Sequence, residues 1–356
     1  MNSTNAELSY GRRRNVAVWL LVICAMVAIM VVIGGITRLT ESGLSIVEWN
    51  VGLGWIPPLS EAEWQRQFDL YRQTSEFQIQ FPYLDLEGFK TIFWWEYIHR
   101  VWGRLIGLVS LAGMGWCLYH GLFRNNIARS LAWHSVAIFV IISLQGAIGY
   151  WMVTSGFVGR DDVSQYRLTL HLGMAIGIVA YALWLAFGLL QRGEGRAAAP
   201  SALRKLSWVV AAVAFATILS GGMVAGINAG FIHNTWPLMD GGLLPDDFAA
   251  LSPFWLNFFE NHSMVQFDHR MMAYLTAILV AIFWFRARGA GLHGRAHKAA
   301  QLLGAMVLLQ ILLGIATLLL VVPISVAVLH QFGAVLLFGL AMWNAWELSL
   351  PRKAGA

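Results

Sequence analysis

Apolar residues run through this chain in long stretches of about the 20 residues that a helix needs to cross a bilayer core. Eight such stretches can be marked, at 16–37, 93–119, 131–154, 166–190, 206–228, 267–288, 299–322 and 325–348. The second and sixth open on charged residues, which singles them out for attention. The pattern predicts an all-α integral membrane protein of eight transmembrane helices. Between the spans the connections are unequal. Two are long, at 38–92 and 229–266, and long loops in compact proteins are commonly functional. The first contains the aromatic, amphipathic run WNVGLGWIPPLSEAEWQRQFDLY, which predicts a short helix lying on the outer face.

Basic residues alternate between the two sets of loops. Arg12, Arg13 and Arg14, Arg124 and Arg129, Arg192, Arg196, Arg204 and Lys205, Arg286, Arg288, Arg295 and Lys298, and Arg352 and Lys353 fall on one side. The segment 230–266 on the other side has no Lys or Arg. By the positive-inside rule both termini are expected in the cytoplasm. The division that follows is a tail at 1–15, a first half at 16–190, a cytoplasmic linker at 191–205, a second half at 206–348 and a tail at 349–356. The first span follows a short polar segment directly, which reads as a retained helix rather than a cleaved signal and favours a bacterial inner membrane.

Composition agrees. The chain of 356 residues is 58% hydrophobic and 12% charged, against roughly 25% charged in an average soluble domain. Its net charge of +5 is explained by the cytoplasmic loops, and no nucleic-acid partner is expected. The only cysteines, Cys24 and Cys117, lie in apolar stretches and read as small buried hydrophobes. That leaves no disulfide framework, c-type haem attachment or iron–sulfur ligation.

The two halves repeat one another in order. GGITR at 34–38 matches GGMVA at 221–225, and EYIHRVWGRLIGL from Glu96 matches QFDHRMMAYLTAI from Gln266. QGAIG at 145–149 matches QILLG at 310–314, and TLHLGMAIG from Thr169 matches VLHQFGAVL from Val328. Each half starts on the same side, so the repeat is parallel, about an axis along the membrane normal. Two pseudo-symmetric four-helix bundles are expected.

Six of the ten histidines, His120, His134, His233, His262, His293 and His297, fall in or beside loops and read as solvated or interfacial; His233 and His262 are near enough to reach a cofactor rim. His99, His171, His269 and His330 instead fall within spans, near their outer ends. Ionisable groups in spans are costly and point to function. All four occupy the second or fourth helix of a half, at one membrane depth. Two imidazoles without a cysteine or carboxylate partner suit zinc poorly but suit axial ligation of haem iron. Gly103, Gly107, Gly173 and Gly177 would let the helices admit a ring. Arg100 and Arg270, each following a histidine, and Arg104 one turn on, have two readings: pairing with haem propionates, or snorkelling to headgroups.

One position breaks the repeat. Glu96 lies three residues before His99 on the same helix face, where the second half has Gln266. A carboxylate beside one haem can relay protons or stabilise a developing cation; equally, Glu96 can be an interfacial ion-pair partner of Arg100 or Arg38. The asymmetry assigns chemistry to the first half and a bound, electron-carrying or structural haem to the second.

Taken with GGITRLTESGLS at 34–45, NTWPLMDG at 234–241 and DHRMMAY at 268–274, these motifs resemble the haem A synthase family over nearly the whole chain. The resemblance implies oxidation of a ring methyl of haem O to a formyl group by successive hydroxylations, giving haem A for terminal oxidases. It implies catalytic roles for Glu96, His99 and His171 around substrate haem O in the first half. His269 and His330, with Arg100 and Arg270 as further cofactor contacts, would serve a haem b in the second half. All four histidines would be axial ligands of haem iron. Implied partners are haem O and haem A, the lipid bilayer, a haem O synthase and an electron-transfer partner, with haem sites near the periplasmic face. The family's outer-loop cysteine pair is absent here, as in its cysteine-free proteobacterial and mitochondrial type. The competing reading is a di-haem b-type membrane electron-transfer protein. Haems at different depths would carry electrons across a membrane, whereas these four histidines share one depth. A transporter is a third class, but no pair of broken mid-membrane helices is evident.

Overall fold

A computed structural model describes residues 10–49, 54–120, 126–157, 162–191 and 199–349. The expected basic residues Arg124, Arg192, Arg196, Arg352 and Lys353 lie outside these, as do most of the two tails and residues 192–198 of the linker. Among the described residues are eleven α-helices: α1 (Tyr10–Leu39), α2 (Glu61–Tyr71), α3 (Ser75–Ile79), α4 (Leu86–Tyr119), α5 (Asn126–Val153), α6 (Gln165–Leu190), α7 (Ser201–Gly226), α8 (Asn257–Glu260), α9 (His262–Gly289), α10 (Gly294–Leu319) and α11 (Ile324–Leu348). Eight of them, all but α2, α3 and α8, are long and apolar enough to cross a membrane. The described residues contain no strand beyond one isolated bridge, Met239 to Gly242.

Packing follows chain order. Helix α1 packs on α4 and α6, and α5 on α4 and α6, closing one ring of four. Helix α7 packs on α9 and α11, and α10 on α9 and α11, closing a second. The rings meet through α6 with α7, α1 with α11, and α6 with α11. Those contacts interchange when the halves are exchanged, which fits the expected pair of related four-helix halves. Ile23, Val27, Ile138 and Val179 are among the residues filling the first core. Phe283, Leu303, Phe338 and Ala341 belong to the second, which also takes in Ala28, Val31 and Ile176 from the first half.

The long first connection folds rather than wandering. Ser60 begins α2 with a capping box: its hydroxyl accepts from Glu63 N at 3.3 Å, and its own N–H donates to Glu63 Oε2 at 3.2 Å. Such a cap contributes roughly 1 kcal/mol. The expected short helix is therefore two helices, α2 and α3. Trp64, Phe68, Tyr71 and Phe77 pack with Phe89 and Phe93 at the start of α4, Trp64 meeting Phe93 edge-on at 4.8 Å. This is why α4 starts at Leu86 and not at 93: its first turns serve an aromatic cluster, not the bilayer. Asp85 caps it by accepting from Gly88 N at 2.8 Å. His99 consequently sits well inside α4, further from the helix end than hydropathy alone predicts.

Candidate functional site

Each of the four span histidines rests against a glycine of the neighbouring helix. A Cβ added at Gly34 of α1 would lie 3.3 Å from His99 Nε2, and one at Gly221 of α7 would lie 3.1 Å from His269 Cε1. A Cβ at Gly149 of α5 or at Gly314 of α10 would lie 2.9 Å from Cε1 of His171 or His330. The four glycines occupy matching positions in the two repeats, so glycine here is the space that the imidazole fills. Among the glycines named from sequence, Gly107 and Gly177 face open space, Gly103 faces Met30, and Gly173 faces Leu219. Those four do not line the histidines.

The rings are further held by hydrogen bonds that the sequence reading did not anticipate. Gln145 Nε2 donates to His171 O at 2.9 Å and reaches the ring Nε2 at 3.5 Å. Gln310 Nε2 donates to His330 O at 2.9 Å and lies 3.1 Å from Nδ1. Ser220 Oγ lies 2.8 Å from His269 Nδ1. The repeated QxxxG spacing was the available signal: the glutamine lies one helical turn from the glycine that receives the ring.

Glu96 is buried, with 3% of its surface exposed. Its Oε1 accepts from Arg100 Nε at 3.0 Å and Nη2 at 2.6 Å, and its Oε2 from Ser45 Oγ at 2.8 Å and Ile46 N at 2.7 Å. Arg100 also donates to the carbonyls of Ile46 at 2.6 Å and Glu48 at 3.0 Å. Of the two candidate partners, Arg100 is the one Glu96 takes. Arg38 instead meets Asp162 at 2.5 Å and reaches into the second half, to Ala225 O and Asn228 Oδ1, both at 3.0 Å.

The second half repeats this arrangement with the polarity reversed. Gln266 Nε2 donates to Ala229 O at 2.8 Å where Glu96 accepts, and Gln266 Oε1 accepts from Arg270 Nη2 at 3.1 Å. Arg270 continues to His233 O at 2.8 Å and Thr235 O at 3.0 Å. Both arginines thus point into the long connections and pin them. Arg104 does the same through Gly54 O at 2.7 Å. In each half a loop is clamped one helical turn from a histidine.

The residues fit haem. The His269 and His330 rings face each other with centroids 6.4 Å apart and planes at 86°. Two imidazoles on one metal, each bonded at about 2 Å, place their ring centroids about 6 Å apart. No group of three or more metal-ligating side chains occurs among the described residues. A pair of imidazoles therefore needs a metal that brings its remaining ligands with it, as a porphyrin does. Among the described residues buried Arg270 Nε has no acceptor, and it is a donor suited to a propionate.

The family model for a cytochrome oxidase assembly protein matches residues 17–342. A protein of Nitrosospira multiformis named haem A synthase is 49% identical over 345 residues, covering 96% of each chain. Those of the same name from Nitrosomonas eutropha and Rhodospirillum centenum are 45% and 47% identical, covering 98% and 97% of this chain and 98% and 91% of theirs. The chain belongs to the haem A synthase family. As a member it is a multi-pass membrane protein, consistent with its eight long apolar helices.

The other motifs that suggested this family serve the loops. In NTWPLMDG, Asn234 Nδ2 bonds Gly230 O at 2.9 Å and Leu318 O at 3.0 Å, tying the second long connection to the end of α10. Asp240 Oδ2 meets His233 Nδ1 at 2.6 Å, and His233 Nε2 meets Ser263 Oγ at 2.9 Å. With both nitrogens engaged, His233 is a strut of this haem A synthase family loop. His262 is exposed at the start of α9, and His134 Nδ1 pairs with Tyr181 OH at 2.6 Å. Cys24 and Cys117 are buried and unpaired.

Proposed function

We propose that this chain makes haem A, oxidising a ring methyl of haem O to a formyl group by successive hydroxylations for delivery to terminal oxidases. The observation that carries this reading is the duplicated histidine–glycine clamp in a chain of this family, altered at one point: Glu96 in the first half, Gln266 in the second. The substrate's own iron supplies the redox chemistry, and the protein supplies orientation and electrostatics.

In this reading His99 and His171 hold haem O in the first half, and Gly34 and Gly149 admit their rings. Glu96 is the buried anion of that half. Its four donors stabilise it as a carboxylate on the helix that also carries His99, and it stabilises positive charge that develops there. His269 and His330 hold a haem b in the second half, where Gln266 places no carboxylate at the position matching Glu96. Arg270 offers Nε to a propionate; Arg100 positions Glu96 and the loop. The halves at 16–190 and 206–348 act as the substrate and haem b units. The setting is a bacterial inner membrane with both termini cytoplasmic and the haem sites near the periplasmic face. A haem O synthase supplies the substrate, and a membrane redox partner exchanges electrons.

The test is product analysis. The chain is expressed in membranes with a haem O synthase, and non-covalent haem is extracted and separated with mass detection. Haem A or its hydroxymethyl precursor should appear with the wild type and be lost with Glu96→Gln. Haem O left unchanged beside a stable, haem b-loaded protein would favour a di-haem electron carrier.

A further inference from the structure

The four imidazoles are not held equally. In the second half, His269 Nδ1 lies 2.8 Å from Ser220 Oγ and His330 Nδ1 lies 3.1 Å from Gln310 Nε2. In the first half, the His171 ring reaches Gln145 only at 3.5 Å, and the His99 ring has no hydrogen-bond partner among the described residues. The repeat shows why. Ser220 immediately precedes Gly221, the glycine under His269, whereas Ile33 immediately precedes Gly34, the glycine under His99. A hydrocarbon stands where the second half has a hydroxyl.

The ring orientation agrees. Gly221 faces Cε1 and Nδ1 of His269, at 3.1 and 3.6 Å from an added Cβ; Gly34 faces Nε2 and Cδ2 of His99, at 3.3 and 3.6 Å. His99 thus turns a carbon toward the side on which His269 turns the nitrogen that Ser220 engages. A metal-bound imidazole donates its second ring N–H, so an acceptor there, as Ser220 Oγ is for His269, fixes the ring and raises its basicity, and losing one weakens metal affinity by roughly 10–100-fold. Gln310 Nε2, itself a donor, holds His330 through the backbone carbonyl.

We propose that His99 is the releasable imidazole of the four, detaching while His171 stays and while His269 and His330 keep the other site closed. This rests on reading the histidine pairs as axial ligands. Two bound imidazoles leave no position free on an iron. With haem held there, departure of His99 would break one nitrogen–metal bond and would leave room for a neutral diatomic probe, with no electron transferred in the exchange. The opened position lies on the same helix as Glu96.

The experiment uses the purified full chain with its bound haems, reduced, with carbon monoxide as the probe followed by absorbance. Electron paramagnetic resonance of the oxidised protein reports bis-imidazole ligation independently. Part of the haem in the wild type should bind carbon monoxide. Ile33→Ser should weaken that binding by roughly tenfold or more, and Ser220→Ala should make the second-half haem reactive as well. Bis-imidazole signals with no carbon monoxide binding in the wild type would overturn the release of His99 and leave the ligand assignment standing. So would equal reactivity of wild type and Ile33→Ser, or an unreactive second half in Ser220→Ala. Absence of bis-imidazole signals from the haem-loaded wild type would overturn the ligand assignment, and the release of His99 with it.

Discussion

Arg100 Nη2 lies 2.6 Å from Glu96 Oε1, one helical turn apart on α4, with 9% and 3% of the two side chains exposed. All four hydrogen bonds that Glu96 receives come from N–H or O–H groups, two from Arg100 and one each from Ser45 and Ile46. An amide in place of the carboxylate would turn an NH2 toward donors. Breaking a buried pair costs about 3–5 kcal/mol, so Glu96→Gln should lower the unfolding temperature in detergent as well as abolish product. Gln266→Glu should also destabilise, because its new oxygen would face the Ala229 carbonyl. Thermal unfolding of both variants beside the wild type checks this.

The glycine contacts give a packing test. An added methyl at Gly314 meets His330 at 2.9 Å, while one at Gly107 meets nothing within 4 Å. Gly314→Ala should displace the imidazole and cost the second-half haem most of its occupancy. Gly107→Ala should leave haem content unchanged, or raise stability slightly because alanine favours helix by about 1 kcal/mol. Haem-to-protein ratio in purified membranes reads the difference.

Gln310 should matter through His330 and not through the fold. Gln310→Leu removes the contacts to both His330 O and Nδ1. Haem affinity in the second half should fall by roughly 10–100-fold, with a changed low-spin signal and little change in helix content. Gln310→Glu, which puts an oxygen where Nε2 donates to the His330 carbonyl, should not restore the affinity.

A pH dependence comes from the loop. Glu76 on α3 is buried against Tyr71 OH, which donates at 2.9 Å. Burial, with repulsion from Glu96, Asp162 and Glu41, pushes its carboxyl from the usual 4.5 up to about 8. The folded state therefore holds a proton that the unfolded chain loses near pH 4.5. The stabilisation is complete below that value and fades as pH rises toward 8. Glu76→Gln should flatten the dependence of unfolding temperature on pH between about 5 and 8. An unchanged slope would exclude Glu76 as its source.

Much of this architecture is legible in the chain. The eight spans follow from hydropathy because each must satisfy its own backbone inside lipid. The repeat follows from matched short motifs, and His99, His171, His269 and His330 stand out because imidazoles in spans are rare. The start of α4 was not legible, since Leu86 to Ile92 is too polar for a span and is held by an aromatic cluster built from a distant loop. Ser220 escaped for a similar reason: its meaning lies in which helix faces which, and the repeat has no matching hydroxyl, Ile33 standing at that position. Gln310 does recur in the repeated QxxxG spacing, but the spacing alone does not say which ring it holds. The loop carbonyls that Arg100 and Arg270 donate to are identified by no spacing rule.

The most direct test of the two-site account is the identity of the haem lost from paired variants, His171→Leu and His330→Leu, purified from membranes making haem O. His171→Leu should keep haem b and lose haem O and haem A. His330→Leu should lose haem b. Loss of the same haem from both variants, or retention of haem b in His330→Leu at wild-type occupancy, would contradict separate substrate and haem b halves.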